Sequence, residues 1–331
     1  MSNNVIKIAL YNHKGGVGKT VLTANIASRL AGIGKKVLIV DSDPQANLTS
    51  YFIQDDVVDS LLDESELKTG RTLWSAMRPI VNGDGDYNLV KPYDAPGVEN
   101  LSILPGDIRL AEFEVLLWDF WRETLDRRVR GFKGTTAISR YLDVLAESFQ
   151  YDFIFYDTGP NIGPLNKTIL LDCDYFIIPA ACDLFSRRAL KTLGHALSNW
   201  IGSWKTISLL APKDIYLLKG HPKFLGYIPQ RFKVYGGNIT SLSSNYISQI
   251  EKTVFSDVIN VLNQIDPSLV PKTGRGTRLG EVKDYATLVQ EAQKQGVPLY
   301  EVKGGTQSQK DSALKSFTTI ANNIIKKTSE A

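Results

Sequence analysis

The run Lys14-Gly15-Gly16-Val17-Gly18-Lys19-Thr20 stands between an apolar stretch, residues 5–10, and a second apolar stretch of helical spacing that begins at Lys19. Glycine at positions 15, 16 and 18 lets backbone amides approach an anion closely, where a side chain would block them. A helix that starts at Lys19 points its N-terminal amides and the positive end of its dipole at the same anion. Val21, Leu22, Ala24, Ile26, Ala27 and Leu30 give that helix its apolar content, and Gly32 and Gly34 signal its end. Strand, glycine-rich loop and helix in this order read as a phosphate-binding loop. Gly15, Gly16, Val17, Gly18, Lys19, Thr20 and Val21 form the cradle, with Lys19 reaching the β- and γ-phosphates and the Thr20 hydroxyl ligating Mg²⁺. The expected ligand is Mg-ATP. The match to the general pattern G-x-x-x-x-G-K-[ST] is imperfect, because His13 stands where the first glycine belongs.

Outward from the loop, strand and helix signals alternate as in a parallel sheet wrapped by helices. Val37-Leu38-Ile39-Val40 is apolar on both faces, as a central parallel strand must be, and ends on Asp41. Residues 101–104, 153–157, 175–179 and 224–228 are further strand candidates, and residues 55–100 are polar and irregular with a turn at Gly83-Asp84-Gly85. Helical patterning runs to about Phe149 with breaks near Gly131 and Gly134, and long helices are expected over residues 241–265 and 308–327. No repeat or linker divides the chain. The predicted fold is α/β, a doubly wound, mostly parallel sheet flanked by helices, in a single domain over residues 1–331. A variable region at about 55–100 and a C-terminal packing helix at about 308–327 complete it.

With 43% hydrophobic residues the chain is far from a disordered composition, and a net charge of +3 does not mark the whole molecule as a nucleic-acid binder. Cys173 and Cys182 share no metal-ligand or C-x-x-C spacing, which argues against a disulfide scaffold or zinc site, and both are expected to be buried. No signal-peptide pattern and no apolar run of the ~18 residues a membrane span needs is found, so a cytoplasmic location is expected.

The lysine that opens the run makes it the deviant form of the Walker A motif, and here the sequence resembles the ParA/MinD group of P-loop ATPases. The resemblance implies that Lys14 reaches across an ATP-bound homodimer to the partner's phosphates, as a second catalytic cation beside Lys19. Asp41-Ser42-Asp43-Pro44-Gln45-Ala46-Asn47 is similar to the D-x-D-P-Q-x-N motif of ParA/Soj partition ATPases. It implies Asp43 as the carboxylate that positions water and places Asp41 near the magnesium shell. Residues 151–157 resemble the Walker B strand, which implies that Asp157 holds Mg²⁺ together with Thr20. The family pattern continues D-x-P-P, whereas this chain reads Asp157-Thr158-Gly159-Pro160-Asn161. Similar segments recur at Ile177-Ile178-Pro179-Ala180, Gly226-Tyr227-Ile228-Pro229, Arg278-Leu279-Gly280-Glu281 and Gly296-Val297-Pro298-Leu299, while about 55–100 and 199–223 match least.

The same resemblance implies an ATP-dependent switch for DNA partition or cargo positioning. It would bind non-specific DNA as a dimer, associate with the nucleoid, and hydrolyse ATP slowly until a ParB-like adaptor arrives. Residues 205–283 hold 11 Lys and Arg against five Asp and Glu, a polarity that suits phosphate-backbone contact. Arg231, Lys233, Lys272, Arg275 and Arg278 are the candidate DNA cations. Leu314, Phe317, Ile320, Ala321, Ile324 and Ile325 form a stripe of helical spacing that reads as a core-packing face, so no membrane contact is expected. The aromatic cluster at residues 116–121 likewise reads as packing more than as a partner surface. The competing readings are a MinD-like positioning ATPase at a membrane and a metabolic P-loop enzyme of the same fold. A cluster-bearing reductase of that fold would need ligating cysteines that Cys173 and Cys182 do not match. No helix-turn-helix precedes the first strand, so a sequence-specific DNA reader is not expected.

Overall fold

The computed structural model describes residues 5–236, 238–271 and 277–330. The quoted loop lies between strand β1 (Ile6–Leu10) and helix α1 (Lys19–Gly32), and β1 is central in the sheet. In chain order there follow β2 (Val37–Asp41), α2 (Asn47–Phe52), α3 (Asp55–Asp63), α4 (Leu73–Asn82), β3 (Tyr93–Asp94) and β4 (Leu101–Leu104). Next come α5 (Leu110–Leu125), α6 (Val129–Thr135), α7 (Ala137–Phe149), β5 (Phe153–Asp157), α8 (Pro164–Asp172), β6 (Tyr175–Ala181), α9 (Leu184–Leu209) and β7 (Lys223–Phe232). The remainder comprises β8 (Val234–Tyr235), β9 (Asn238–Ile239), α10 (Ser241–Val254), α11 (Asn260–Ile265), β10 (Val282–Lys283), α12 (Thr287–Gln295) and α13 (Gln307–Ser329).

Among the described residues the main sheet has eight strands in the order β10-β7-β6-β1-β5-β2-β4-β3, parallel except for β3 against β4. In β1, Ile8 faces Phe155 of β5 and Tyr175 of β6, which fixes the register on both sides. The residues of β2, β5 and β6 are all buried, as strands covered on both faces require. Side chains of β1 alternate between two cores, as the two-residue period of a strand dictates. Ile8 and Leu10 pack with α1, α2 and α13; Ala9 and Tyr11 pack with α4, α5, α7, α8 and α9. The loops after β1, β2, β5, β6 and β7 therefore open at one edge of the sheet, where ligands of such folds bind.

Several expectations are corrected. Residues 55–100 are not irregular throughout: they contain α3 and α4, and α4 starts at a capping box in which Thr72 and Ser75 bond each other's backbone. The helical patterning does break near Gly131 and Gly134, at residues 126–128 and at Thr136, but the two glycines themselves lie inside α6, where a side chain at either would run into α5 at Thr124 or the Phe120 ring. The first break turns at Arg127, whose φ is 60°. The helix predicted over 241–265 is interrupted by a π-helical turn at Phe255–Ile259, which packs on Gly194 of α9. Cys173 is buried, but Cys182 is only half-buried. In the aromatic cluster Leu117, Phe120 and Trp121 are buried, whereas Trp118 is 62% exposed. On α13 the stripe of Ala313, Phe317, Ile320, Ala321 and Ile324 is buried on the α1 side of the sheet, and Leu314 stands out of it. No described helix is long and apolar enough to cross a membrane.

Candidate nucleotide site

The loop after β1 is fastened before it turns. Asn12 is fully buried; its Nδ2 donates to the Pro179 carbonyl of β6 at 2.9 Å and its Oδ1 accepts from the Lys14 amide at 3.0 Å. Gly16 and Gly18 have φ of 69° and 74°, left-handed values that a residue with a Cβ adopts only at a cost. Gly18 is the N-cap of α1, so the first amides of that helix face the space enclosed by the loop.

Lys19 is buried, and its Nζ donates to the carbonyls of Asn12 at 2.9 Å and Lys14 at 3.4 Å. Burial lowers its pKa, and the charges of Asp157 and Asp43 oppose that shift. An anion in the cradle would restore what burial takes away. The Thr20 hydroxyl donates to Asp157 Oδ2 at 2.7 Å, while Asp157 Oδ1 is buried with no hydrogen-bond partner. Burial, followed by the neighbouring Asp41, pushes the Asp157 carboxyl up to about 8. A buried carboxylate with an idle oxygen, next to a hydroxyl at the start of a phosphate loop, is a fitting environment for a hard divalent cation. The residues present therefore fit Mg²⁺.

Asp41 is engaged differently. It is fully buried; Oδ2 accepts from the Thr49 amide at 2.8 Å and the Thr49 hydroxyl at 2.7 Å, and Oδ1 accepts from the Asp43 amide at 3.3 Å. Burial raises it to about 7. Thr49 Oγ1 in turn accepts from the Gly106 amide at 2.8 Å, so Asp41 ties the end of β2 to α2 and to the turn after β4. It pairs with Asp157 in the sheet register. Asp43 is nearly buried, accepts from the Gln45 amide at 3.1 Å, and borders Gly159 in the loop after β5.

That loop is the one whose sequence departs from the family pattern, and a different set of bonds holds it. Thr158 Oγ1 donates to the Leu10 carbonyl at 2.7 Å, Tyr11 Oη to the Asn161 carbonyl at 3.1 Å, and Asn166 Nδ2 to the Gly159 carbonyl at 3.0 Å. Glu114 of α5 accepts the Leu165 amide at the start of α8. Burial raises its pKa, helped by the Asp43 charge.

Lys14 does not point into the cradle. Its Nζ lies 2.6 Å from Asp183 Oδ2 and 3.1 Å from Ser186 Oγ, at the N-terminus of α9. Partial burial works against ionised Asp183, but the bonds from Lys14 and the Ser186 amide hold its carboxyl below the usual range.

The described candidate DNA cations lie on or beside β7 and make different contacts. Arg231 donates from Nη1 to the Gly16 carbonyl at 2.8 Å, Arg278 pairs with Glu281, and Lys233 is exposed beside the β8–β9 ribbon. Lys272 and Arg275 lie outside the described residues. Sequence reasoning missed Asn12, Thr49, Glu114, Asp183 and Gln230 around this site. Only Asp183 carried a local signal, as an Asp ahead of a helical pattern.

A parallel sheet with a phosphate loop after its central strand, and a carboxylate at the end of the next strand over, defines a P-loop nucleotide-binding protein. The model of the AAA domain family matches residues 5–206, and the chain belongs to that family and is of the ParA/Soj type. It is 32% identical over 192 residues to the sporulation initiation inhibitor protein Soj of Bacillus subtilis, covering 56% of this chain and 62% of Soj. The chain thus spans less than two thirds of that relative's length. Among solved structures it is similar to protein DIP2308 of Corynebacterium diphtheriae, with a TM-score of 0.73, 24% identity and 98% of each chain covered. A McdA variant of Cyanothece in complex with ATP superposes with a TM-score of 0.66, 17% identity, and 98% of this chain and 97% of that one covered.

Proposed function

We propose that the chain is an ATP-dependent dimerising switch for DNA partition or the positioning of intracellular cargo, hydrolysing ATP to ADP and phosphate. The observation that carries this reading is the Thr20–Asp157 bond at 2.7 Å beside the unpartnered Asp157 Oδ1. Gly15 to Val21 would hold the phosphates through backbone amides, with Lys19 neutralising them. Mg²⁺, held by Thr20 and Asp157 with Asp41 behind them, would supply charge neutralisation at the phosphates. Asp43 orients the attacking water. Lys14 leaves Asp183 and adds a second cation to the partner protomer's phosphates, in the manner of an arginine finger.

The likeness to Soj and to an ATP-bound McdA supports the assignment. The ATP-bound dimer binds non-specific DNA through the basic segment that includes Lys233 and Arg278. A ParB-like adaptor accelerates an otherwise slow hydrolysis, and the protein associates with the nucleoid.

Light scattering after size exclusion, with and without Mg-ATP, combined with phosphate release, tests the core of this reading. Asp43→Ala should bind ATP and dimerise without turning over, whereas Lys14→Ala should lose turnover because the catalytic dimer is impaired. Wild-type turnover in Asp43→Ala would remove that residue from the mechanism. A monomer at saturating Mg-ATP would end the switch model, and equal DNA retention with ADP and ATP would end its coupling to DNA.

A further inference from the structure

The end of β7 lies against the phosphate loop, and no motif in the loop calls for it. Gln230 is 3% exposed, and a side chain at Gly18 would come within 2.7 Å of its Oε1. Its Nε2 is buried without a hydrogen-bond partner. The next residue, Arg231, has φ of 58°, a left-handed backbone that costs a non-glycine residue about 1 kcal/mol or more. From that conformation its Nη1 donates to the Gly16 carbonyl at 2.8 Å. Of two consecutive residues, Gln230 thus packs against Gly18 and Arg231 bonds Gly16, the two left-handed glycines of the loop.

The consequence follows from peptide geometry. The Gly16 carbonyl and the Val17 amide belong to one trans peptide, so they point in opposite directions. A guanidinium bonded to the carbonyl outside the loop turns the Val17 amide away from Arg231 and toward the space the loop encloses. A phosphate nest works only when successive amides converge, and each carbonyl turned outward must then find its own donor. Arg231 is that donor for Gly16. The bond is charge-assisted and therefore among the stronger hydrogen bonds, although exposure of the side chain weakens it.

We propose that Arg231 is a positioning residue of the phosphate loop, setting the Gly16–Val17 peptide for nucleotide binding from the end of β7. This rests on the nucleotide reading above and assigns Arg231 a task separate from DNA contact. It also explains why the left-handed backbone is tolerated at Arg231: a right-handed one would carry the side chain elsewhere.

The test is the affinity of the full chain for a fluorescent ATP analogue with Mg²⁺, measured for wild type, Arg231→Gly, Arg231→Met and Arg231→Lys. Thermal melts without nucleotide and retention of non-specific duplex at saturating ATP accompany it. Arg231→Gly is the variant safest for folding, since glycine accepts the left-handed backbone while the donor is deleted. Arg231→Gly and Arg231→Met should each weaken binding about tenfold, Arg231→Lys should recover to within about threefold of wild type, and nucleotide-free melting should shift little. Unchanged ATP affinity with lost DNA retention would overturn the proposal and make Arg231 a DNA contact only. Equal loss in all three variants together with lower melting temperatures would reduce it to a fold-stabilising role. Wild-type protein that bound no Mg-ATP would overturn the nucleotide reading as well, which tight wild-type binding with unaffected variants would not.

Discussion

Lys14 poses a quantitative question, because the side chain proposed to serve a partner protomer is occupied within its own. Its Nζ sits 2.6 Å from Asp183, with side-chain exposures of 25% and 40% for the two residues. At that exposure solvent screening leaves an ion pair worth about 0.5–1 kcal/mol. A symmetric dimer in which each Lys14 leaves its Asp183 loses two such pairs, about 1–2 kcal/mol in all. Asp183→Asn removes the charge but keeps the N-cap of α9, since asparagine accepts the Ser186 amide as aspartate does. Dimerisation in Mg-ATP should therefore tighten about 5–30-fold, by the tenfold-per-1.4 kcal/mol conversion. The assay is analytical ultracentrifugation in an Asp43→Ala background, so that turnover does not erode the dimer. The gain should shrink as salt is raised from about 0.05 to 0.5 M. A dimer constant that is unchanged or weaker in Asp183→Asn, with α9 intact by circular dichroism, would refute the idea that the Lys14–Asp183 pair opposes assembly.

Two further predictions concern stability. Lys7 on β1 is fully buried and bonded to Asp172 at 3.0 Å and Asp143 at 2.7 Å, with Tyr156 also donating to Asp172. Burial works to lower its pKa, but Asp172 and Asp143 prevail and raise it, so its stabilising contribution is constant below the unfolded lysine value of ~10.4. Lys7→Met strands buried Asp172 and should cost about 3–5 kcal/mol. With an unfolding entropy of about 0.7 kcal/mol/K for a chain of this length, melting should fall by about 4–7 °C. Lys7→Met/Asp172→Asn should regain more than half, and no regain in calorimetry would mean that the charge is not the cause. Asp41 and Asp157, raised mainly by burial to about 7 and 8, bind more protons folded than unfolded above ~4. The nucleotide-free protein should accordingly lose stability as pH rises from about 4 to 8, and the stabilisation by Mg-ATP should be larger at pH 8.5 than at pH 6. A melting profile flat in pH, or a Mg-ATP gain that falls with pH, would refute this.

How much of this could be read beforehand depended on distance along the chain. The cradle from Gly15 to Val21 was legible because its chemistry needs neighbouring residues in a fixed order. Asp157 was legible because a buried strand ends on it. The partners that set the loop's state were not: Asp183 is 169 residues from Lys14, and Arg231 is 215 from Gly16. Nothing in the pattern of a helix or strand announces such a bond. α4 escaped notice because its cap pairs Thr72 with Ser75 in place of the usual Glu or Gln, and because Pro79 lies inside it. Gly131 and Gly134 flag the breaks at residues 126–128 and Thr136 without forming them. Glycine signals a break when considered alone, yet here its missing side chain is what lets α6 close on α5.

The family match stops at residue 206, but the site does not. β7 pairs with β6 from Tyr175↔Lys223 to Ala181↔Gln230, and its last residues reach Gly18 and Gly16. The loop is thus held on one side by β6, through Asn12 and Pro179, and on another by β7, through Arg231. Lys14 is held by the helix that follows β6. Each of these bonds joins the most local motif in the chain to an element after residue 175. A change in the loop on nucleotide binding would therefore be felt first at α9 and at the end of β7. The latter continues directly into Lys233 and the exposed β8–β9 ribbon. The contacts from the loop to this ribbon lie in the part of the chain that the family model leaves unmatched.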